Sequence, residues 1–270
     1  MTLHLNYTRR GKGEPLVLLH GIGHRLEAYD PLVDQLAENF DVIAVDLPGF
    51  GQSPRFDKAT DYSLTALAET VAENFAVWGI EKPHMVGNSL GGAVSVILGQ
   101  QGKARSVTAL SPAGWFFRWS LLFAGIPLLT LKLGAYAPKA ILRIFCNTAL
   151  GRFLMGFTLY KFPMRHSAED SFGDALTMRS AHGFWPMFLA CIPLAGRVPA
   201  IFRGPARVPT TIAWGDTDRI LSPKQAGLAA QSMSGLDFVL LEHSGHVPMA
   251  DNPEKIIATI QQTALKAKAS

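Results

Sequence analysis

Short apolar runs alternate with helical patterns along most of this chain, and this alternation is the feature that most constrains its fold. Short runs rich in β-formers and bounded by glycine or proline are typical of parallel strands buried on both faces. Six such runs cover residues 16–19, 42–45, 85–86, 106–110, 210–214 and 237–241. Helical spacing and helix boundary residues mark 30–40, 63–80 and 252–267. The sequence therefore predicts an α/β fold, a mostly parallel sheet covered by helices on both faces.

One segment, residues 113–207, breaks the alternation. It is aromatic and apolar, and it carries eleven lysines and arginines against only three acidic residues. Its uncharged stretch from Trp119 to Leu131 is too short to span a bilayer. We predict a helical cap inserted into a core domain made of residues 1–112 and 208–270. The alternative, that these helices belong to an ordinary core, stays open.

The stretch "GNSLGG" at residues 87–92 joins an apolar strand pattern to an apolar helix pattern. Glycines at Gly87 and Gly91 allow strand and helix to approach closely while the turn exposes Ser89. The positive end of the following helix would then face negative charge that develops near the serine. This context predicts that Ser89 is a nucleophile, whereas the alternative is a glycine-rich corner without chemistry.

A serine nucleophile needs a histidine base and an acid that orients it. His246 lies in a turn after the last predicted strand, whereas His243 lies nearer to the strand itself. His20, in "LLHG", more often anchors its loop by hydrogen bonds than performs chemistry. The turn "WGDTDRI" offers Asp216 and Asp218 as the acid, and two carboxylates so close in sequence cannot both point at one imidazole.

The tetrahedral intermediate also needs two backbone donors for its oxyanion. We expect one to be the amide of Leu90, directly after Ser89. The second should come from "HGIG", with Ile22 favoured and Gly23 as the alternative.

Five motifs in this order resemble the α/β-hydrolase fold superfamily, and specifically its serine hydrolases with a helical cap: "HGIG", "DLPGFGQS", "GNSLGG", "WGDTDRI" and "GHVPMADNPE". The resemblance covers about residues 16–112 and 209–264. The family pattern G-x-x-D falls on Gly215 and Asp218, and its G-H turn falls on Gly245 and His246. The resemblance thus implies Ser89, Asp218 and His246 as the catalytic triad, in the chain order that this architecture uses.

The resemblance also narrows the reaction. Haloalkane dehalogenases and epoxide hydrolases of this fold carry an aspartate where this chain has Ser89. We therefore expect a serine hydrolase that cleaves a carboxylic ester, lactone or thioester of a hydrophobic small molecule through an acyl-enzyme. A carbon–carbon bond hydrolase is the alternative, since Asn88 matches those enzymes, although they usually carry a tryptophan where this chain has Val247-Pro248-Met249. A non-catalytic small-molecule receptor is the second alternative.

Substrate contacts are expected from the loops and the aromatic-rich cap. The candidate residues are Gly23, Trp115, Phe116, Trp185 and Val247. Aromatic residues at this density also fit a cap core, so that alternative stays open. The basic excess of the cap predicts attraction to an anionic substrate or membrane surface, or else a solvated basic face.

Other partners are not expected. No arginine- or lysine-rich run with interleaved aromatics suggests nucleic acid, and the predicted chemistry needs no metal or organic cofactor. The N-terminus lacks the pattern of a secretory signal, so we expect a cytoplasmic protein. The sequence sets no expectation for the oligomeric state.

Overall fold

The computed structural model describes residues 2–269, without the side chains of residues 60, 121 and 269. Over this part of the chain a single sheet has seven strands: β1 (Tyr7–Arg10), β2 (Glu14–Leu19), β3 (Phe40–Val45), β4 (His84–Asn88), β5 (Ser106–Leu110), β6 (Gly204–Gly215) and β7 (Met233–Leu241). Their order is β1-β3-β2-β4-β5-β6-β7, and every pair is parallel except β1 with β3. The predicted mostly parallel sheet is confirmed, and all six predicted strands are present.

The edge strand β1 was not predicted. Its sequence, "YTRR", is polar apart from the tyrosine, and all four residues are exposed. It pairs antiparallel with β3, where Tyr7 lies opposite Val45. An edge strand with both faces open to water carries no apolar run, so periodicity gives no signal for it.

Helices cover both faces of the sheet, as predicted. They are α1 (Asp30–Leu36), α2 (Leu64–Trp78), α3 (Leu90–Gln100), α9 (Gln225–Ser232), α10 (Pro248–Asp251) and α11 (Pro253–Ala269). Alternate residues of β2 point to opposite sides. Val17 and Leu19 pack in the apolar cluster that includes α2 and α3. Leu16 and Leu18 pack in a second cluster with α1 and α11.

Five further α-helices lie between β5 and β6 in the described residues: α4 (Ser120–Gly134), α5 (Lys139–Asn147), α6 (Ala149–Gly156), α7 (Ala168–Ser180) and α8 (Phe184–Cys191). We call residues 117–192, which contain these helices and their connections, the α4–α8 segment. A small apolar cluster around Leu142 and Phe172 joins α5 to α7. None of the helices among residues 2–269 is both long enough and apolar enough to cross a membrane.

The ammonium group of Lys132 fixes the end of α7. It donates hydrogen bonds to the carbonyls of Met178 at 2.6 Å and Ala181 at 3.0 Å, and its side chain is almost fully buried. The charge lies where the carbonyl end of a helix attracts cations. The predicted domain division stays a prediction: β6 begins at Gly204, four residues before the predicted core boundary, and residues 1 and 270 lie outside the described residues.

Register aligns the carboxyl ends of the central strands. Leu19 lies opposite Gly87, Asn88 opposite Leu110, and Gly215 opposite Leu241. The loops that follow these strands therefore open at the same edge of the sheet, where ligands bind in parallel α/β folds.

Candidate active site

Ser89 occupies the sharp turn between β4 and α3. Its φ of 54° and ψ of −111° place it in a backbone region that residues other than glycine rarely adopt. Such strain at a single residue persists only where the surrounding structure enforces it. Gly87 and Gly91 make the turn geometrically accessible, because a Cβ on Gly87 would collide with the Gly91 carbonyl, and one on Gly91 with the Leu19 carbonyl.

Backbone hydrogen bonds hold this turn in place. The amide of Ser89 donates to the Leu110 carbonyl at 2.9 Å, and its carbonyl accepts from Ala93 and Ala113 at 3.0 Å each. Leu90 is the first residue of α3, and amides in the first turn of a helix have no partner within the helix. The turn thus presents a serine beside the positive end of a helix.

His246 and Asp218 form a buried pair. The Nδ1 atom of His246 lies 2.8 Å from Asp218 Oδ2, and both side chains are almost completely shielded from solvent. Asp218 Oδ1 accepts from the amides of Ile220 and Leu221 at 2.8 Å each, so the carboxylate is oriented from both sides. An ionised carboxylate only accepts, so Nδ1 carries the proton and Nε2 remains free to act as a base.

The structure brings Asp218 rather than Asp216 to the imidazole. The carboxylate of Asp216 instead accepts from the amides of His243 and Ser244 at 3.1 Å each. Burial opposes ionisation of Asp216, but these two donors together with the nearby charge of Lys161 outweigh it and lower the pKa of the group. The side chain of His243 is exposed, outside the pocket of Ser89. Asp216 therefore shapes the loop that leads to His246.

Two side chains that sequence reasoning did not assign to the site connect its parts. Asn88 Nδ2 donates to the His246 carbonyl at 2.8 Å and to the Leu110 carbonyl at 3.2 Å. The carboxylate of Asp251, which is buried, accepts from Gly245, Lys161 and Phe162 at 2.8–3.1 Å. Asn88 thus connects the serine turn to the histidine turn, and Asp251 connects the histidine turn to the α4–α8 segment.

The "HGIG" loop is fixed by His20, which is fully buried. Its Nδ1 donates to the Gly21 carbonyl at 2.8 Å, and its Nε2 accepts from the Leu47 amide at 3.0 Å. Burial lowers the pKa of His20 to about 4, so the ring is neutral at physiological pH. The expectation that His20 anchors its loop agrees with these contacts.

Ser89 and His246 line one cavity of about 50 Å³. Of the predicted substrate contacts, Gly23 and Val247 line it, as does Ile22. A second cavity of about 50 Å³ is also lined by Ser89 and Ile22, and Leu90 and Phe116 lie on its wall. The two predicted oxyanion residues thus lie on the same cavity wall as the serine.

Trp115 and Trp185 line neither of these two cavities. Trp115 is fully buried, packs on Phe202 with ring centroids 4.9 Å apart, and donates to Ser232 Oγ at 2.7 Å. Trp185 packs edge-on against Phe184 and is more than a third exposed. Neither tryptophan therefore lies on a cavity wall at Ser89, because helix packing turns the first into the core and the second towards solvent, and their contact with substrate stays a prediction.

The α4–α8 segment instead contributes side chains that the sequence did not single out, among them Leu128, Leu159, Asp174 and Met178. Three of them, Leu159, Asp174 and Met178, also line a much larger cavity of about 480 Å³ enclosed by α4, α5, α6 and α7. Its walls are mostly apolar. No motif marks such residues, because their position depends on how the helices pack.

Within residues 2–269, histidine, cysteine and acidic side chains form no group of three that could hold a metal ion.

The fold and the site define the class of protein. The sequence profile of the "Alpha/beta hydrolase family" matches residues 16–259, and this chain belongs to that family. It is a hydrolase with the seven-stranded, mostly parallel sheet of the α/β-hydrolase fold.

Known relatives include carboxylic ester hydrolases. The chain is 28% identical to Lipase 1 of Psychrobacter immobilis over 88% of its own length and 73% of the lipase. It is 26% identical to a pimeloyl-[acyl-carrier protein] methyl ester esterase of Aeromonas salmonicida, over 96% of this chain and 98% of the esterase. A meta-cleavage product hydrolase of Pseudomonas fluorescens superposes with a TM-score of 0.77 at 17% identity, over 98% and 95% of the two chains, which shows a shared fold.

Proposed function

We propose that this protein hydrolyses a carboxylic ester of a hydrophobic small molecule through an acyl-enzyme on Ser89. The observation that carries the proposal is the buried His246–Asp218 pair on the same cavity as a serine held at positive φ. Asp218 holds the proton on Nδ1 and stabilises the imidazolium that forms when Nε2 accepts a proton. The nucleophile, base and orienting acid are then assigned to three residues from three loops.

In the first half-reaction the Ser89 oxygen bonds to the ester carbonyl carbon while its proton passes to His246 Nε2. The amides of Leu90 and Ile22 donate to the resulting oxyanion, which the positive end of α3 also stabilises. The tetrahedral intermediate collapses, the bond to the alcohol oxygen breaks, and His246 returns its proton to the departing alcohol. The acyl group remains on Ser89.

In the second half-reaction a water molecule replaces the alcohol. His246 takes a proton from the water as its oxygen attacks the acyl carbon, and the same amides hold the second oxyanion. Collapse breaks the bond to Ser89, which regains its proton from His246, and releases the carboxylic acid. These steps leave the enzyme unchanged.

The large cavity supports a hydrophobic acyl group. It measures about 480 Å³, within the usual range for sites that bury a small molecule. Because Leu159 and Met178 line it together with the Ser89 cavity, an acyl chain attached to Ser89 has an apolar space beyond them. The relatives named as a lipase and a methyl ester esterase agree with ester chemistry.

A carbon–carbon bond hydrolase remains the second candidate, since it would use the same three residues. Asn88 matches that class in sequence, and the meta-cleavage product hydrolase shares the fold. In this structure, however, Asn88 already has two main-chain acceptors, and Val247 follows the histidine. These contacts give Asn88 a positioning role that either reaction requires, so the presence of Asn88 does not favour carbon–carbon bond cleavage. The ester reaction is therefore our conclusion.

The experiment that tests the proposal is covalent labelling with a fluorophosphonate, read by intact mass. We expect one adduct on the wild type, none on Ser89→Ala, and strongly slowed labelling of His246→Ala. Ser95→Ala is the matched control, because Ser95 is also buried but its hydroxyl donates to the Gly91 carbonyl within α3. An unlabelled wild type that is folded by circular dichroism would overturn the proposal in favour of a non-catalytic receptor.

Unlabelled wild-type enzyme would then be compared on two substrate types. A series of p-nitrophenyl esters of increasing acyl length should be hydrolysed, with an optimum beyond acetate. Faster turnover of a vinylogous diketone than of every ester would move the assignment to carbon–carbon bond cleavage.

A further inference from the structure

The α4–α8 segment exposes an unusual amount of apolar surface. Of the 23 large hydrophobic side chains exposed in the described part of the chain, 18 lie between residues 117 and 192. Single exposed apolar residues are normal on soluble proteins, but a concentration in little more than a quarter of the chain marks an interaction site.

Helix α4 shows the pattern most clearly. Its solvent-facing positions include Trp119 just before the helix, then Leu122, Phe123, Ile126 and Leu133, at spacings that share one helix face. Phe123 is 68% exposed. A helix on a protein surface ordinarily presents polar residues on this face. The buried face of α4, with Ala124 and Leu128, faces the apolar core.

The mouth of the large cavity lies among exposed apolar side chains of α5 and α6. Ile141, Phe145 and Leu154 line the cavity and are also exposed. Ile144 and Leu150, on the same two helices, are each about two-thirds exposed without lining it. The cavity therefore opens among exposed apolar side chains and continues inward to the residues that line the Ser89 cavity.

The charge of the segment decides between two occupants of this surface, a second copy of the chain and an anionic lipid bilayer. Residues 113–207 carry eleven basic and three acidic side chains, and among the eleven basic ones, all described, only Lys132 is buried. All three acids lie on α7 and are engaged: Glu169 with Arg143, Asp170 with Ser167, and Asp174 with the Tyr160 hydroxyl. A second copy of the chain would bring the same positive charge to the contact, whereas anionic lipid headgroups would attract it.

We propose that this surface docks on a lipid bilayer that carries anionic headgroups. We call it the exposed apolar surface, and it consists of Trp119, Leu122, Phe123, Ile126, Ile144 and Leu150. Interfacial binding of this kind combines apolar side chains buried at the headgroup boundary with basic residues that face the anionic lipid. Docking itself is independent of catalysis; only its consequence, that the cavity mouth faces lipid acyl chains, rests on the proposed ester hydrolase function.

The test is binding to vesicles by flotation, with Ser89→Ala protein so that no lipid is consumed. Vesicles of phosphatidylcholine with phosphatidylglycerol are compared with vesicles of pure phosphatidylcholine, at low and high salt. We expect binding to the anionic vesicles that weakens as salt rises, because added ions screen the attraction.

Two variants address the two components of binding. Ile144→Ser with Leu150→Ser should weaken binding more than about tenfold, since each side chain would otherwise be buried at the interface. Lys139→Gln, at the exposed start of α5, should weaken it about fivefold. The control for the apolar pair is Val77→Ser with Leu265→Ser, two exposed apolar residues outside the segment. The control for Lys139→Gln is Lys103→Gln, an exposed lysine that also lies outside the segment.

A second measurement separates docking from catalysis. For this measurement the substitutions are made in protein that retains Ser89. None of them should change turnover of a soluble short-chain ester, because none of the residues lines a cavity at Ser89. Absence of binding to anionic vesicles, or equal loss in segment and control variants, would overturn the docking proposal while leaving the hydrolase assignment intact. The docking proposal would also be overturned if sedimentation showed that the wild type is a dimer and that the apolar variants are not. That result would assign the surface to a second copy of the chain.

Discussion

The side-chain amide of Asn88 lies 2.8 Å from the main-chain carbonyl of His246, to which it donates a hydrogen bond. The two residues are 158 positions apart in the chain. Asn88 is the last residue of β4 and directly precedes the candidate nucleophile, so this bond fixes the distance between the serine turn and the histidine turn. A buried polar contact at this point couples the geometry of the site to the sheet.

We expect Asn88→Ala to lower kcat for a soluble ester about 10- to 100-fold, because small displacements of a catalytic pair have effects of this size. KM should change much less, since the substrate-binding walls are intact. Steady-state kinetics checks this. Asn74→Ala is the control, because Asn74 is also buried with main-chain partners but lies on α2, outside the site. If both variants reduce kcat equally, Asn88 has no specific positioning role.

The two neighbouring aspartates should differ sharply. In Asp218→Asn the amide would face Nδ1 of His246 and favour the tautomer that cannot act as a base at Nε2, so kcat should fall on the order of 10³–10⁴-fold. Asp216→Asn keeps an acceptor for the loop amides, so it should lower kcat less than about tenfold. Single-turnover rates of the two purified variants make the comparison, and a reversed order would refute the assignment of the acid.

His20 should make the protein sensitive to acid. Burial lowers its pKa from 6.5 to about 4 in the folded state. Below pH 6.5 the unfolded chain binds a proton that the folded state does not, so the stability linked to neutral His20 is fully present above pH 6.5 and is lost as pH falls to about 4. The loss amounts to at most about 3 kcal/mol.

Urea unfolding of wild type and His20→Gln across this pH range measures the effect. Glutamine retains a donor and an acceptor but does not titrate, so the free energy of unfolding should fall less steeply with acid in the variant. Other titrating groups are common to both proteins and cancel in the comparison. Parallel curves would mean that His20 is not the acid-sensitive group.

The large cavity should set the preference for acyl length. Ala175 lies on α7, is buried, and lines this cavity but not the small ones at Ser89. Ala175→Leu would fill part of the space, and we expect kcat/KM for long-chain esters to fall at least about tenfold, while values for acetate and butyrate esters stay within twofold. A uniform loss over all chain lengths would show that the acyl chain lies elsewhere.

Much of this protein follows from local sequence patterns. Six strands, the serine turn and three helices that pack on the sheet were predictable, because apolar periodicity and glycine positions depend on neighbours in the chain. The order of motifs along the chain was enough to indicate the family. The same reasoning placed Ser89, His246 and the two candidate aspartates in turns.

Other features were decided only by tertiary structure. The bridging roles of Asn88 and Asp251 and the hydrogen bond of buried Trp115 to Ser232 all involve contacts between distant segments. The large cavity likewise exists only where four helices meet. A sequence pattern indicates which residues seek burial, whereas the packing of whole elements decides which surface buries them and which atoms come within hydrogen-bonding distance.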